Sequence, residues 1–99
     1  MEEKFYVYII TNKNNTVVYT GVTSNLKKRI YEHKNGIYPN SFSKKYKLTK
    51  LIFFEIYESI EIAILREKQI KGWKRNKKDE IINTQNPNWR DLYNDILDC

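Results

Sequence analysis

The sequence predicts an α+β fold, a central three-stranded, mainly antiparallel sheet flanked by helices. Three observations carry that prediction. Tyr6 to Gly21 (YVYIITNKNNTVVYTG) has alternating apolar and β-branched residues on either side of the polar turn Asn12-Lys13-Asn14-Asn15, which is a hairpin pattern. Lys50 to Tyr57 (KLIFFEIY) reads as a third strand, apolar enough to be buried on both faces. The segments that follow the hairpin and this strand carry helix caps and helical spacing of apolar residues.

Taken in order, Lys4 to Thr11 and Thr16 to Val22 are the hairpin strands. Either even-length loop, Lys13-Asn14 or Asn12 to Asn15, sets Tyr8 directly across from Tyr19, with both phenols on one face of the sheet. Thr23-Ser24-Asn25 supplies N-cap residues for a helix ending near Asn35, with Gly36 at the C′ position. Ile37 to Lys47, rich in Asn, Ser, Lys and Tyr around Pro39, reads as a mobile loop. Ser59 caps a long helix running to about Trp73, its capping box incomplete because Ile62 stands where an acid or glutamine would close it. Asn76 to about Thr84 forms a shorter helix, which Asn86-Pro87 ends. Asn88 to Leu97 reads as a last amphipathic helix, with Trp89, Leu92, Tyr93 and Ile96 at core spacing.

Ninety-nine residues make one domain, 1–99, with a single modest core. Hydrophobic content of 40% with 30% charged residues places the chain among globular and not disordered proteins. No run of about 18 apolar residues is present to span a membrane. Met1-Glu2-Glu3-Lys4 is acidic and leads straight into a strand, unlike a signal peptide, and Cys99 has no partner for a disulfide. A cytoplasmic protein is expected.

The formal charge is +6, and it is unevenly placed. Between Arg66 and Lys78 stand Arg66, Lys68, Lys71, Lys74, Arg75, Lys77 and Lys78 against the single acid Glu67. Beyond Lys78 the sign reverses. Such a stretch is the electrostatic footprint of a polyanion, and these seven residues are candidates for nucleic-acid binding. The plainer reading is a solvated, lysine-rich surface.

Two helices place charge where packing alone would not. Leu26, Arg29, Ile30 and His33 share one stripe, so Arg29 and His33 border the core that Leu26 and Ile30 must face. The structural explanation is an arginine that snorkels out to Glu32 or another carboxylate, and a histidine that is merely satisfied. In the long helix Glu67 falls within a stripe of Ile60, Ala63, Ile64 and Ile70. A salt bridge to Lys71 returns only about 0.3–0.5 kcal/mol, little for burying an acid, so a site carboxylate is the better explanation.

These residue types match phosphodiester hydrolysis, which needs a group to activate water, a cation to offset phosphate charge and usually a divalent metal. Glu67 could hold Mg²⁺ or Mn²⁺ with most of the shell left as water. Arg29 could brace phosphate oxygens, and a cation or metal nearby would lower the phenol pKa of Tyr8 or Tyr19 from its ordinary value of about 10. Cys/His metal spacing, a nucleophile elbow and a Gly-rich phosphate loop are all missing.

At these residues the chain resembles the GIY-YIG nuclease family, specifically its small single-domain bacterial members. The family's two tripeptides correspond to Tyr6-Val7-Tyr8 and Tyr19-Thr20-Gly21, and Gly21 to His33 (GVTSNLKKRIYEH) resembles the helix carrying the family's arginine and a histidine. Ala63 to Lys78 (AILREKQIKGWKRNKK) resembles the region of the metal-binding glutamate, and Asn86 to Leu92 (NPNWRDL) the typical end. The resemblance implies a divalent-metal-dependent endonuclease acting on DNA, with RNA as the other candidate polyanion. It implies Tyr8 as leading general base with Tyr19 assisting or replacing it, Arg29 and His33 as phosphate stabilisers, Glu67 as the Mg²⁺ or Mn²⁺ ligand, and Gly21 as a point of close backbone approach. Tyr6 and Thr20 replace the family's glycine and isoleucine, Val22 stands where some members carry lysine, and Asn76 and Asn83 are candidates for the family's asparagine. With no added recognition domain, substrate choice would come from nucleic-acid structure or a partner protein, in DNA repair or recombination. The alternative is a nucleic-acid-binding module of the same fold without useful catalysis, which would use the basic stretch and Trp73 for stacking.

Overall fold

The computed structural model describes residues 3–37 and 41–97; Met1, Glu2, Pro39 of the expected loop and Cys99 lie outside them. Strands β1 (Phe5–Thr11), β2 (Val18–Thr23) and β3 (Lys50–Tyr57) form one antiparallel sheet in the order β2-β1-β3. Helices α1 (Leu26–Lys34), α2 (Phe42–Lys45), α3 (Ile60–Lys71), α4 (Arg75–Gln85) and α5 (Tyr93–Leu97) complete the α+β arrangement. No helix among the described residues is long and apolar enough to cross a membrane.

Because side chains alternate along a strand, β1 feeds two cores. Tyr8 and Ile10 pack with Leu26 and Ile30 of α1 and with Leu92 and Ile96. Val7 and Ile9 pack on the opposite face with Ala63 and Ile70 of α3 and Ile82 of α4. Burial of each isoleucine contributes about 1.5–3 kcal/mol, so the two faces together hold the sheet. A bulge between Ile9 and Ile10, whose partners are Phe53 and Leu51, places one extra residue in β3.

Caps fall where expected. The Asn25 side chain accepts from the Lys28 amide at the start of α1, and Ser59 accepts from Ile62 at the start of α3. Gly36 has φ +59 after α1, the left-handed conformation that favours glycine there.

The hairpin register differs from expectation. Tyr8 faces Gly21, and Tyr19 faces Ile10, an offset of two residues. The Asn12–Asn15 turn does form, with the Asn15 amide donating to Asn12 O, but pairing resumes only at Val18. Asn12 Oδ1 accepts from the amides of Thr16 and Val17 and so holds those two residues out of the ladder. The loop remains even, and both phenols therefore stay on one face.

Three further elements depart from the sequence reading. Within Ile37 to Lys47, Ser41 caps the short helix α2 by accepting from the Lys44 amide. The outer half of β3 is not buried on both faces, and Ile56 is largely exposed. The last helix spans only Tyr93–Leu97, because Trp89 adopts φ +51 and the chain wraps the outer edge of β3. That edge is closed by side chains. Gln85 bonds both Phe54 N and O, Asn86 Nδ2 donates to Ile52 O, and Asp91 accepts from Leu51 N. Trp89 consequently packs with the α3 face while Leu92 and Ile96 pack with the α1 face.

Candidate active site

Tyr8 sits mid-strand in β1, fully buried, with its ring laid over Gly21 of β2. A Cβ at Gly21 would stand 2.5 Å from Tyr8 Cζ, so only glycine leaves room for the ring. Gly21 is thus required for close approach, but by a side chain of the same protein.

The Tyr8 hydroxyl meets Nε2 of His33 at 3.1 Å, and Nδ1 of His33 meets the Ser43 hydroxyl at 2.9 Å. Ser43 in turn lies 3.0 Å from the Ser41 hydroxyl. A neutral imidazole has one donor and one acceptor, which completes this chain of hydroxyls in either tautomer. Burial holds the His33 imidazole below its ordinary value of 6.5, the Arg29 guanidinium lowers it further, and Glu32 opposes them weakly. His33 is therefore neutral at pH 7.

Tyr19, half-buried on the edge strand β2, presents its ring edge-on to His33 at 6.4 Å between centroids. Tyr8, Tyr19, Arg29, His33, Phe42 and Ser43 line a cleft of about 180 Å³. Arg29 approaches Glu32 at 3.7 Å, the pairing that helix spacing allowed, yet its guanidinium still borders the cleft. Two of the residues singled out by spacing, Arg29 and His33, do converge with both tyrosines, and Glu67 does not line this cleft.

Glu67 comes from α3, which packs on the opposite face of the sheet, against β1 and the edge strand β2. Its side chain is 16% exposed, and its partner is Lys71 Nζ at 3.5 Å. The same ammonium lies 5.2 Å from the centroid of the Tyr19 ring. Glu67 is thus linked to Tyr19 through Lys71. The expected apolar stripe is narrower than spacing implied, since Ile64 is 37% exposed while Ala63 and Ile70 are fully buried. No cluster of three or more His, Cys, Asp or Glu exists among the described residues. The donor set is one half-buried carboxylate, which suits a hard cation that keeps most of its water and takes phosphate oxygens.

The basic stretch divides. Arg66 makes a two-pronged bond to Glu55 (2.9 and 3.1 Å), tying α3 to β3, and its guanidinium stacks on Trp73 at 5.1 Å. Arg75 pairs with Asp79 and donates to the carbonyls of Asn15 and Thr16, clamping the hairpin loop. Both arginines are engaged in holding the fold. Lys68, Lys71, Lys74 and Lys77 are exposed, Lys78 is half-buried, and Lys77 covers Trp73 from 4.6 Å. Trp73 therefore already stacks on two cations. Asn83 accepts from the Trp89 indole, and Asn76 is exposed on α4. Sequence reasoning missed Ser43, Ser41 and Phe42, hidden in a segment read as loop; the Ser-x-Ser pattern ahead of two lysines was the available cap signal.

The three-stranded sheet with its helices is the framework of a nuclease-type catalytic domain. A model of the GIY-YIG catalytic domain matches residues 4–80, and the chain belongs to the GIY-YIG family. It is similar to a UPF0213 protein of Syntrophus aciditrophicus, 39% identical over 84 residues, covering 85% of this chain and 94% of the relative. A UPF0213 protein of Clostridium perfringens is likewise 39% identical over 80 residues, 81% of this chain and 84% of the relative. The solution structure of the UPF0213 protein BH0048 from Bacillus halodurans has the same fold, with a TM-score of 0.57 and 25% identity over 90% of this chain and 93% of that one.

Proposed function

We propose that this chain is a divalent-metal-dependent endonuclease that hydrolyses phosphodiester bonds in DNA. The observation that carries this reading is the Tyr8–His33 bond in a cleft that Arg29 borders. A phenol alone is a poor base at neutral pH. With His33 held neutral, a water attacking phosphorus can lose its proton to Tyr8 Oη while the Tyr8 proton passes to His33 Nε2. The phosphorus–oxygen bond opposite breaks, and the leaving oxygen takes a proton from solvent. His33 serves the tyrosine in this scheme, a different task from the phosphate contact expected of it. Its depressed pKa lets it return the proton to solvent readily.

Arg29 stabilises charge on the non-bridging oxygens, and Tyr19 packs beside the imidazole and orders it. Glu67 would hold Mg²⁺ or Mn²⁺, which when bound supplies Lewis acidity at the phosphate. Lys71, beside both Glu67 and Tyr19, guards the carboxylate. Substrate choice comes from nucleic-acid shape, in keeping with a role in repair or recombination, and phosphate contacts supply affinity.

The test is cleavage of branched, nicked and linear DNA with Mg²⁺ or Mn²⁺. Tyr8→Phe, Arg29→Ala and Glu67→Ala should each abolish cutting while circular dichroism shows a folded chain. Binding that persists with no substrate cut by the unmodified protein would establish a binding module instead.

A further inference from the structure

Helix α2 and the residue after it set two large rings into solvent beside the cleft. Phe42 is 47% exposed and Tyr46 38%, and their centroids lie 4.5 Å apart. Phe42 in turn stands 5.9 Å from Tyr19, which is edge-on to His33. The rings thus make a stair leading outward from the Tyr8–His33 centre. An isolated exposed aromatic needs no explanation, but two in contact, rooted at a candidate site, form a patch.

Charge surrounds the patch. Lys45 Nζ lies 5.4 Å from the Tyr46 ring centroid. Alongside runs a cavity of about 630 Å³ whose wall includes His33 and Ser43 of the centre itself, together with Tyr46, Lys13, Lys44 and Lys47. Among the described residues no carboxylate lines it. Lys34, also in the wall, is committed to Asp91 and to the Thr49 carbonyl. Lys13, Lys44 and Lys47 are exposed cations within reach of a strand that enters the cleft.

We propose that the Phe42–Tyr46 stair and the lysine-walled cavity bind an unpaired stretch of the substrate strand next to the scissile phosphate. Its bases stack on the two rings, and its phosphates meet Lys13, Lys44 and Lys47. Bases in a duplex already stack on one another, so an aromatic platform selects strands whose base faces are open, as in forks, flaps and gaps. This rests on the phosphodiester reading of the neighbouring centre and adds to it the substrate feature recognised. It also moves the main nucleic-acid surface away from the Arg66–Lys78 stretch.

The experiment is fluorescence anisotropy of the full chain with a labelled single strand of about 12 nucleotides, the matching duplex and a forked duplex, all in EDTA so that nothing is cut. The single strand and the fork should bind more tightly than the duplex. Replacing both rings, as Phe42→Ala with Tyr46→Ala, should weaken single-strand binding at least about tenfold while changing duplex binding less than about twofold. The leucine pair, Phe42→Leu with Tyr46→Leu, keeps apolar bulk and should lose affinity equally. Lys44→Ala with Lys47→Ala should flatten the salt dependence of single-strand binding by about 1.4 in log–log slope. Unchanged single-strand affinity in the ring variants, or equal losses for duplex and single strand, would overturn the proposal. So would an unmodified chain that binds no oligonucleotide and sediments as a dimer dissociated by Phe42→Ala. The two readings fail separately. Ring-dependent binding without any cleavage sinks the nuclease and leaves the strand site, whereas fork cleavage with unchanged KM in the ring variants sinks the strand site and leaves the nuclease.

Discussion

The two faces of the sheet are built from one set of strands and are chemically unlike. The α1 face buries a tyrosine and a histidine, and both find partners in a chain of hydroxyls from Tyr8 to Ser41. The α3–α4 face is packed by Val7, Ile9, Ile52, Phe53, Ala63, Ile70 and Ile82, and there the Thr20 hydroxyl is buried with no hydrogen-bond partner among the described residues. Buried polar groups are stabilising when satisfied and expensive when not. The α1 face therefore holds polarity in its interior as a positioned network. The packed interior of the other face carries this one hydroxyl as a defect and keeps its charged groups, Glu67 and the Arg66–Glu55 pair, at the margin.

The comparison can be broken most strongly from the scaffold side. Ile70→Ala, at a fully buried position, should lower unfolding stability by about 2–5 kcal/mol in urea titrations. Next comes Gly21→Ala, which forces a Cβ against the Tyr8 ring and should lose about 1–3 kcal/mol. Adding Tyr8→Leu to that variant should recover stability without recovering cleavage, since the clash is with the ring. Recovery of neither would show that Gly21 is constrained by something other than Tyr8. Thr20→Val, which removes the orphaned hydroxyl at constant shape, should raise stability by about 1 kcal/mol, whereas Ser43→Ala on the other face should lower it.

The smallest effect is the pH response of His33. Its folded pKa lies below the unfolded value of 6.5, so the unfolded chain takes up a proton more readily. Its contribution to stability is complete above about pH 6.5 and declines as pH falls from there through the lower folded value. Thermal scans of the unmodified chain and of His33→Gln across that window should diverge above it and converge below it. Convergence at high pH instead would mean that the imidazole is charged in the folded state.

Much of the fold was legible because it rests on local rules. β3 was read from Lys50 to Tyr57 as found, and Asn25, Gly36 and Ser59 mark helix ends through bonds made within a few residues. Arg29 and His33 declared themselves by lying on an apolar stripe, and the paired tyrosines by sharing a parity that any even loop preserves. The register itself was not legible, because it depends on the Asn12 side chain capturing two amides that a shorter turn would have released to the ladder. Nor was the break at Trp89, where helical spacing of Trp89, Leu92, Tyr93 and Ile96 conceals that the chain crosses from one face of the sheet to the other.

By itself the sequence determined the α+β class, the two strand faces, the helix caps and which polar residues stand out of place, since periodicity and capping act over a few residues. Only the tertiary structure decided that Tyr8 bonds His33, that Arg66 and Arg75 are occupied in bracing the fold, and that Phe42 and Tyr46 lead outward from the cleft. Those partners lie far apart along the chain or in a segment without a periodic signal. Distances of that kind are set by how the elements pack, and packing is a property of the whole molecule.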